Sequence, residues 1–124
     1  MTPATTVGSF KGAVASPLTG GYAVKMSAGI VVPVTATTDE ACGIASRDFT
    51  ADDLGGDDAV GVVLAGPHQG LAGATITRGQ HLSFNASGAL IPKAGAGWVV
   101  AQAMEDASAG QYFAINVNVR KEPA

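Results

Sequence analysis

Residues 79–92 read GQHLSFNASGALIP, and residues 21–33 read GYAVKMSAGIVVP. Both stretches open on Gly, alternate apolar side chains, reach a second Gly, and close on two apolar residues and Pro. Aligning Gly21 with Gly79 sets Val24 beside Leu82, Met26 beside Phe84, Gly29 beside Gly88 and Pro33 beside Pro92. One extra residue falls in the turn Asn85-Ala86-Ser87-Gly88 of the second copy. Alternation with period two is the pattern of a strand buried on one face. A Gly before the return suits a tight hairpin that needs positive φ. Pro closes a strand where no ladder N–H is required. Each copy therefore reads as a β-hairpin.

The correspondence continues beyond the hairpins. CGIA at 42–45 lies against VAQA at 100–103, and Val60, Val62 and Leu64 lie against Phe113, Ile115 and Val117, with Gly56 beside Gly110. Each unit is then a hairpin, a returning strand, a variable loop and a closing strand. The clearest closing strand is FAINVNV at 113–119. It puts Phe113, Ile115, Val117 and Val119 on one face and Ala114, Asn116 and Asn118 on the other. Turn signals recur at Gly20-Gly21, Ala28-Gly29, Gly55-Gly56, Gly66-Pro67, Ser87-Gly88 and Ala109-Gly110, and no window sustains helical periodicity. Short strands at this spacing predict an all-β fold, a small barrel or sandwich built from two similar hairpin-containing halves, about 20–66 and 79–118. Two such halves can pair their edges and close a sheet that would otherwise expose them. Between the halves, AGPHQGLAGATITRG at 65–79 reads as a strand pair, with Leu71, Ala74 and Ile76 inward. The chain divides into an extended N-terminal arm (1–12), a single β domain (13–120) and a polar tail (121–124).

Composition narrows the classes of function. Of 124 residues, 17 are Gly and 23 are Ala, and only seven are aromatic. With 47% apolar and 14% charged residues, the chain is a globular domain rather than a disordered one, and its small polar surface points to area buried against partners. The net charge of −3 supplies no basic field for nucleic acid. No apolar run reaches the roughly 18 residues of a membrane-spanning helix, and MTPATTVGSF lacks the features of a signal peptide. The single Cys42 leaves no internal disulfide.

Candidate chemistry is sparse. Seven of the ten acidic residues fall between Asp39 and Asp58, but the loop SRDFTADDLGGDD at 46–58 matches no calcium-loop spacing and reads as a solvated acidic loop. Cys42 with His68 or His81 would be a thiol and its base. Cys42, however, occupies a strand position whose partner in the second copy is Val100, so a small packed side chain is expected. The histidines have no Cys or acid at zinc-ligand spacing. QAMEDA at 102–107 is similar to the attachment segment of biotinyl and lipoyl domains, but Glu105 stands where those need lysine. The expectation is a chain with no catalytic, cofactor or metal site. Trp98 and the pair Tyr112/Phe113 are the rings that could form a ligand platform or an oligomer interface.

The stretch TRGQHLSFNASGALIPKAGAGWVVAQAMEDASAGQYFAINV resembles the capsid cement, or head decoration, proteins of tailed phages (the DUF2190-like group). The resemblance rests on Gly79, Leu82, Phe84, Ser87-Gly88, Leu90-Ile91-Pro92, Ala103-Met104-Glu105, Ala109-Gly110 and Phe113-Ile115-Val117, preceded by LAGATIT at 71–77. It implies a structural virion protein, made in the host cytoplasm, that binds the outer surface of the phage head and stabilises contacts between major capsid protein subunits, often as a homotrimer. On that view the arm, through Thr5, Thr6, Val7 and Phe10, orders on capsid binding by adding a strand to its partner, and Trp98 and Tyr112 belong to the oligomer interface. The alternative is a β-rich module of a tail or surface structure that contacts carbohydrate or a receptor through an exposed aromatic platform.

Overall fold

The protein is described by a computed structural model that covers residues 5–12, 17–50, 60–94 and 97–122. Among these described residues nine strands follow in chain order: β1 (Thr6–Gly12), β2 (Ala23–Ser27), β3 (Ile30–Pro33), β4 (Ala41–Ala45), β5 (Val60–Leu71), β6 (His81–Phe84), β7 (Leu90–Pro92), β8 (Gly97–Ala103) and β9 (Tyr112–Glu122). They form one sheet in the order β1-β3-β2-β4-β5-β9-β8-β6-β7, and β1 also pairs with β5. That additional pairing closes β1, β3, β2, β4 and the first half of β5 into a five-strand barrel.

The second half of the chain repeats this path. In the β2–β3 hairpin Val24 faces Pro33 and Met26 faces Val31, while in the β6–β7 hairpin Leu82 faces Pro92 and Phe84 faces Leu90. The returning strands match as well, with Ala23 opposite Ile44 in β2–β4 and His81 opposite Gln102 in β6–β8. Closing strands match last, with Ala45 opposite Val62 and Ala103 opposite Ile115. Each of these pairs falls on the alignment read from the two hairpin phrases. The fold is all-β and is built from two similar halves.

The repeat is longer than the sequence suggests. β1 lies antiparallel on β5, with Gly8 opposite Val62 and Phe10 opposite Val60. The second half of β5 lies antiparallel on β9 in the corresponding register, with His68 opposite Ile115 and Gly70 opposite Phe113. Gly12 then meets Val31 in parallel, and Ala72 meets Leu90 in parallel. The second half of β5 is therefore to the second barrel what β1 is to the first. One strand closes the first barrel and opens the second. The expected strand pair over 65–79 is corrected accordingly, because Gly66-Pro67 is no turn. Gly66 takes φ +99° and bends a continuous strand where it leaves β1 and joins β9, a conformation that Gly adopts without cost.

The N-terminal segment also differs from the free arm that its Thr- and Gly-rich composition suggests. Thr6–Gly12 pair with β5 on one edge and β3 on the other, Thr5 Oγ1 donates to Pro67 O at 2.6 Å, and Phe10 packs against the first core. The physical reason is closure: without β1 the first barrel has two open edges.

The two cores correspond side chain by side chain. Leu18, Val24, Val31, Ala45, Phe49, Val60 and Val62 fill the first barrel. Their counterparts Ile76, Leu82, Leu90, Ala103, Ala107, Phe113 and Ile115 lie in the second. The phenyl ring changes place between copies, from Phe49 with Val60 to Ala107 with Phe113, and the two carbons lost at that pair are offset by Leu82, Leu90 and Ile115 where the first barrel has Val24, Val31 and Val62. A second group of first-barrel residues, Ala23, Val34, Ile44 and Val63, points away from the first core and joins the core cluster of the second barrel. This apolar outer wall joins the barrels.

A matched clasp ties each barrel's entry to its exit. Leu18 and Phe49 exchange backbone hydrogen bonds of 3.0 and 2.9 Å, as Ile76 and Ala107 do at 2.8 and 3.1 Å. Asp48 Oδ1 accepts from Gly20 N at 2.8 Å, and Asp106 Oδ1 accepts from Arg78 N at 2.7 Å. Asp106→Ala should lower unfolding stability by about 1 kcal/mol, read as a fall in the urea midpoint at unchanged slope. Asp106→Asn, which keeps an acceptor, should lose less.

Candidate functional site

Cys42 is the residue left unpaired where the β2–β4 ladder slips between Val24–Gly43 and Lys25–Ala41, so it escapes strict alternation. It is half-buried against the first core, and burial pushes its thiol upward in pKa. A raised thiol holds less thiolate, the opposite of what a nucleophilic cysteine needs. His68 stands on the second half of β5 with Nε2 3.2 Å from Ser46 O. His81 is exposed on β6, where Arg120 Nη2 lies 3.4 Å from its Nδ1. The structure gives these three residues separate neighbours. Among the described residues no polar or charged side chain is buried, and no group of three His, Cys, Asp or Glu residues converges. Most of the acidic loop, 51–59, lies outside the described residues. Of its described part, Arg47 stacks over Phe49 at 4.1 Å from the ring centroid, and Asp48 serves the clasp.

The titration of Asp39 is strongly displaced. Its Oδ2 accepts from Thr35 N at 2.8 Å, from Lys25 Nζ at 2.9 Å and from Ala36 N at 3.1 Å. The Thr35 amide, then the Lys25 ammonium, lower its pKa from 3.8 to about 2. A folded pKa below the unfolded one stabilises the fold above pH ~4, and that contribution fades as pH falls towards 2. A carboxyl-carbon NMR titration of Asp39 should give a midpoint of about 2. Lys25→Met should move the Asp39 midpoint upward.

Two surfaces remain. Tyr112 begins β9 and is 53% exposed. It lines a groove of about 490 Å³ at the barrel junction with Gly20, Gly21, Arg47, Asp48 and His68. Close approach explains Gly21 there: its φ is +85°, and a Cβ would sit 2.9 Å from Leu71 N and 3.2 Å from Tyr112 Cε1. Trp98, on β8, is half-buried against the second core and lines a cavity of about 380 Å³ with Thr37, Thr38, Phe84 and Lys93. The two rings named as interface candidates thus serve different surfaces, and Phe113, the neighbour of Tyr112, belongs to the core. In the N-terminal segment Thr5, Thr6 and Val7 are exposed, whereas Phe10 is turned to the first core.

The sequence reasoning missed two features: the Asp clasp and the fifth strand of each barrel. The signal for the clasp is present in LTGGY and ASRDF, which match ITRGQ and AMEDA position by position.

Comparison with known proteins places the fold. No family model matches the chain, and none of the curated proteins matches it, so the resemblance to the DUF2190-like group rests on the sequence pattern alone. Among solved structures, the chain is similar to the N base of the head fiber gp8.5 of bacteriophage phi29. The TM-score is 0.68 at 20% identity, and the match covers 91% of this chain and 95% of that one. This arrangement of β-strands is therefore one that a phage head fiber base also adopts.

Proposed function

We propose that this chain is a structural component of a tailed-phage head, a cement or decoration protein that binds the outer surface of the capsid and stabilises contacts between major capsid protein subunits. The observation that carries the reading is the fold likeness to the phi29 head fiber base over nearly the whole of both chains. The resemblance of the Gly79–Val117 pattern to decoration proteins agrees with it. So do the apolar composition and the absence, among the described residues, of converging titratable groups, which catalysis would require. The partner in this reading is the major capsid protein, and the assembly on the capsid is a homotrimer. Thr5, Thr6 and Val7 on the open side of β1 are capsid-contact candidates, with Phe10 as the anchor that holds the strand. Trp98 and Tyr112 are candidates for the subunit interface.

Purified protein mixed with empty heads of its own phage should co-sediment at a fixed ratio to the major capsid protein and should saturate. Protein that stays in the supernatant at every concentration would reject capsid binding.

A second reading, a module that contacts carbohydrate or a receptor, draws on the half-exposed Tyr112 at a groove rich in polar groups. Tyr112→Ala separates the two: on this second reading it abolishes attachment to cells, whereas on the first it weakens trimer assembly on heads and leaves attachment to cells unchanged.

A further inference from the structure

We propose that the open end of the first barrel, formed by Met26, the Ala28-Gly29 turn and Ile30, is a docking face for a partner protein that presents the outer wall of a β-sheet lined with small aliphatic side chains. The internal repeat supplies the template. In the second barrel Met26, Gly29 and Ile30 correspond to Phe84, Gly88 and Ala89, all buried, while Ser87, beside Ala28 in the alignment, stays exposed at the rim. What covers this end is the wall of the first barrel. Ala23 N donates to Gly88 O at 2.8 Å, and a Cβ on Gly88 would lie 3.0 Å from Ala23 O and 3.3 Å from Val34 Cγ2.

Among the described residues nothing gives that surface of the first barrel such a cover. Met26 is 39% exposed, Ala28 and Gly29 are exposed, and Ile30 is half-exposed. A Cβ on Gly29 would meet nothing within 4 Å. Ala28 holds φ +52°, a conformation that a non-glycine residue takes at a cost. The two turns differ in build: Ala28 and Gly29 both hold positive φ in the first copy, whereas the longer Asn85–Gly88 turn of the second copy does so at Gly88.

A second copy of this chain does not fit the face. The wall that would have to dock is Ala23, Val34, Ile44 and Val63 in the first barrel, where it is already used. At the corresponding positions the second barrel carries His81, Lys93, Gln102 and Asn116, of which His81, Gln102 and Asn116 are exposed. Polar side chains there end the series, as capping units do in repeat proteins. The occupant is therefore a different protein whose wall resembles the first barrel's own. This inference goes beyond the head-protein reading, and its test uses no phage component.

The test restores the missing wall. A variant carrying His81→Ala, Lys93→Val, Gln102→Ile and Asn116→Val gives the second barrel the wall of the first. It should associate head to tail, with a dissociation constant on the order of 10–100 µM, seen as concentration-dependent mass by sedimentation equilibrium. Adding Met26→Glu should return it to monomer. In a titration of labelled wild-type chain with the unlabelled variant, amide shifts should concentrate on 26–30. Where the fourfold variant fails to fold, Gln102→Ile with Asn116→Val carries the same expectations at weaker affinity. A folded variant that stays monomeric, or oligomers indifferent to Met26→Glu, would overturn the proposal. So would self-association of the wild-type chain through Met26, because the partner would then be a second copy.

Discussion

Deleting residues 1–12 should cost the protein at least about 4 kcal/mol, because several ladder hydrogen bonds worth about 1 kcal/mol each are lost and the first barrel is opened at both edges. β1 holds Thr6–Phe10 on β5 and Lys11 and Gly12 on β3, and Phe10 covers the first core. The loss should spread. The wall residues Ile44 and Val63 are held by β4 and β5 of the first barrel and complete the core of the second, so a loosened first barrel uncovers the second. The measurement is equilibrium urea unfolding of the truncated chain beside the full one. A synthetic peptide of residues 1–12 added in trans should restore part of the lost stability, as in strand complementation. An unchanged urea midpoint would show that β1 is dispensable to the barrel.

Phe113→Ala should destabilise by about 3–5 kcal/mol, the usual cost of deleting a buried phenyl ring. Phe113 is 1% exposed, faces Gly70 across β5–β9 and sits among Leu82, Leu90 and Ile115. The repeat offers a rescue, because the first barrel keeps Val60 at this position and puts its ring at Phe49. Phe113→Val alone should remain clearly destabilised. Phe113→Val with Ala107→Phe copies the first barrel's arrangement at these two positions and should recover part of the loss by returning a ring to the core, the two added carbons limiting the recovery. Calorimetric midpoints of the three variants decide this. A double variant no better than Phe113→Val would show that the two cores are not interchangeable.

How much of this was legible in the sequence depended on the kind of signal. The hairpins were, because Val24-x-Met26 and Leu82-x-Phe84 alternate and a Gly and a Pro frame each return. The closing strand 113–119 was, because Phe113, Ile115 and Val117 share a face. β1 was not. TVGSFKG has few large apolar side chains, and its place is set by the unpaired edges of β5 and β3 rather than by its own pattern. Gly66-Pro67 misled for the complementary reason, since the residues of a tight turn also serve to bend a long strand. The junction was hidden too. Ala23, Ile44 and Val63 point away from the first core, and only the packing of one barrel on the other reveals why they are apolar while His81, Gln102 and Asn116 are not. Of the candidate functional residues, the sequence picked out Tyr112 and Trp98 by their scarcity. It could not show that one lies at the junction groove and the other against the second core.

The most direct test of the central claim is quantitative mass spectrometry of purified particles made by the genome that encodes this chain. The account predicts the chain in mature heads at a reproducible ratio to the major capsid protein, retained through density-gradient purification. A chain absent from purified particles, or present at ratios that vary between preparations, would contradict a structural role in the head.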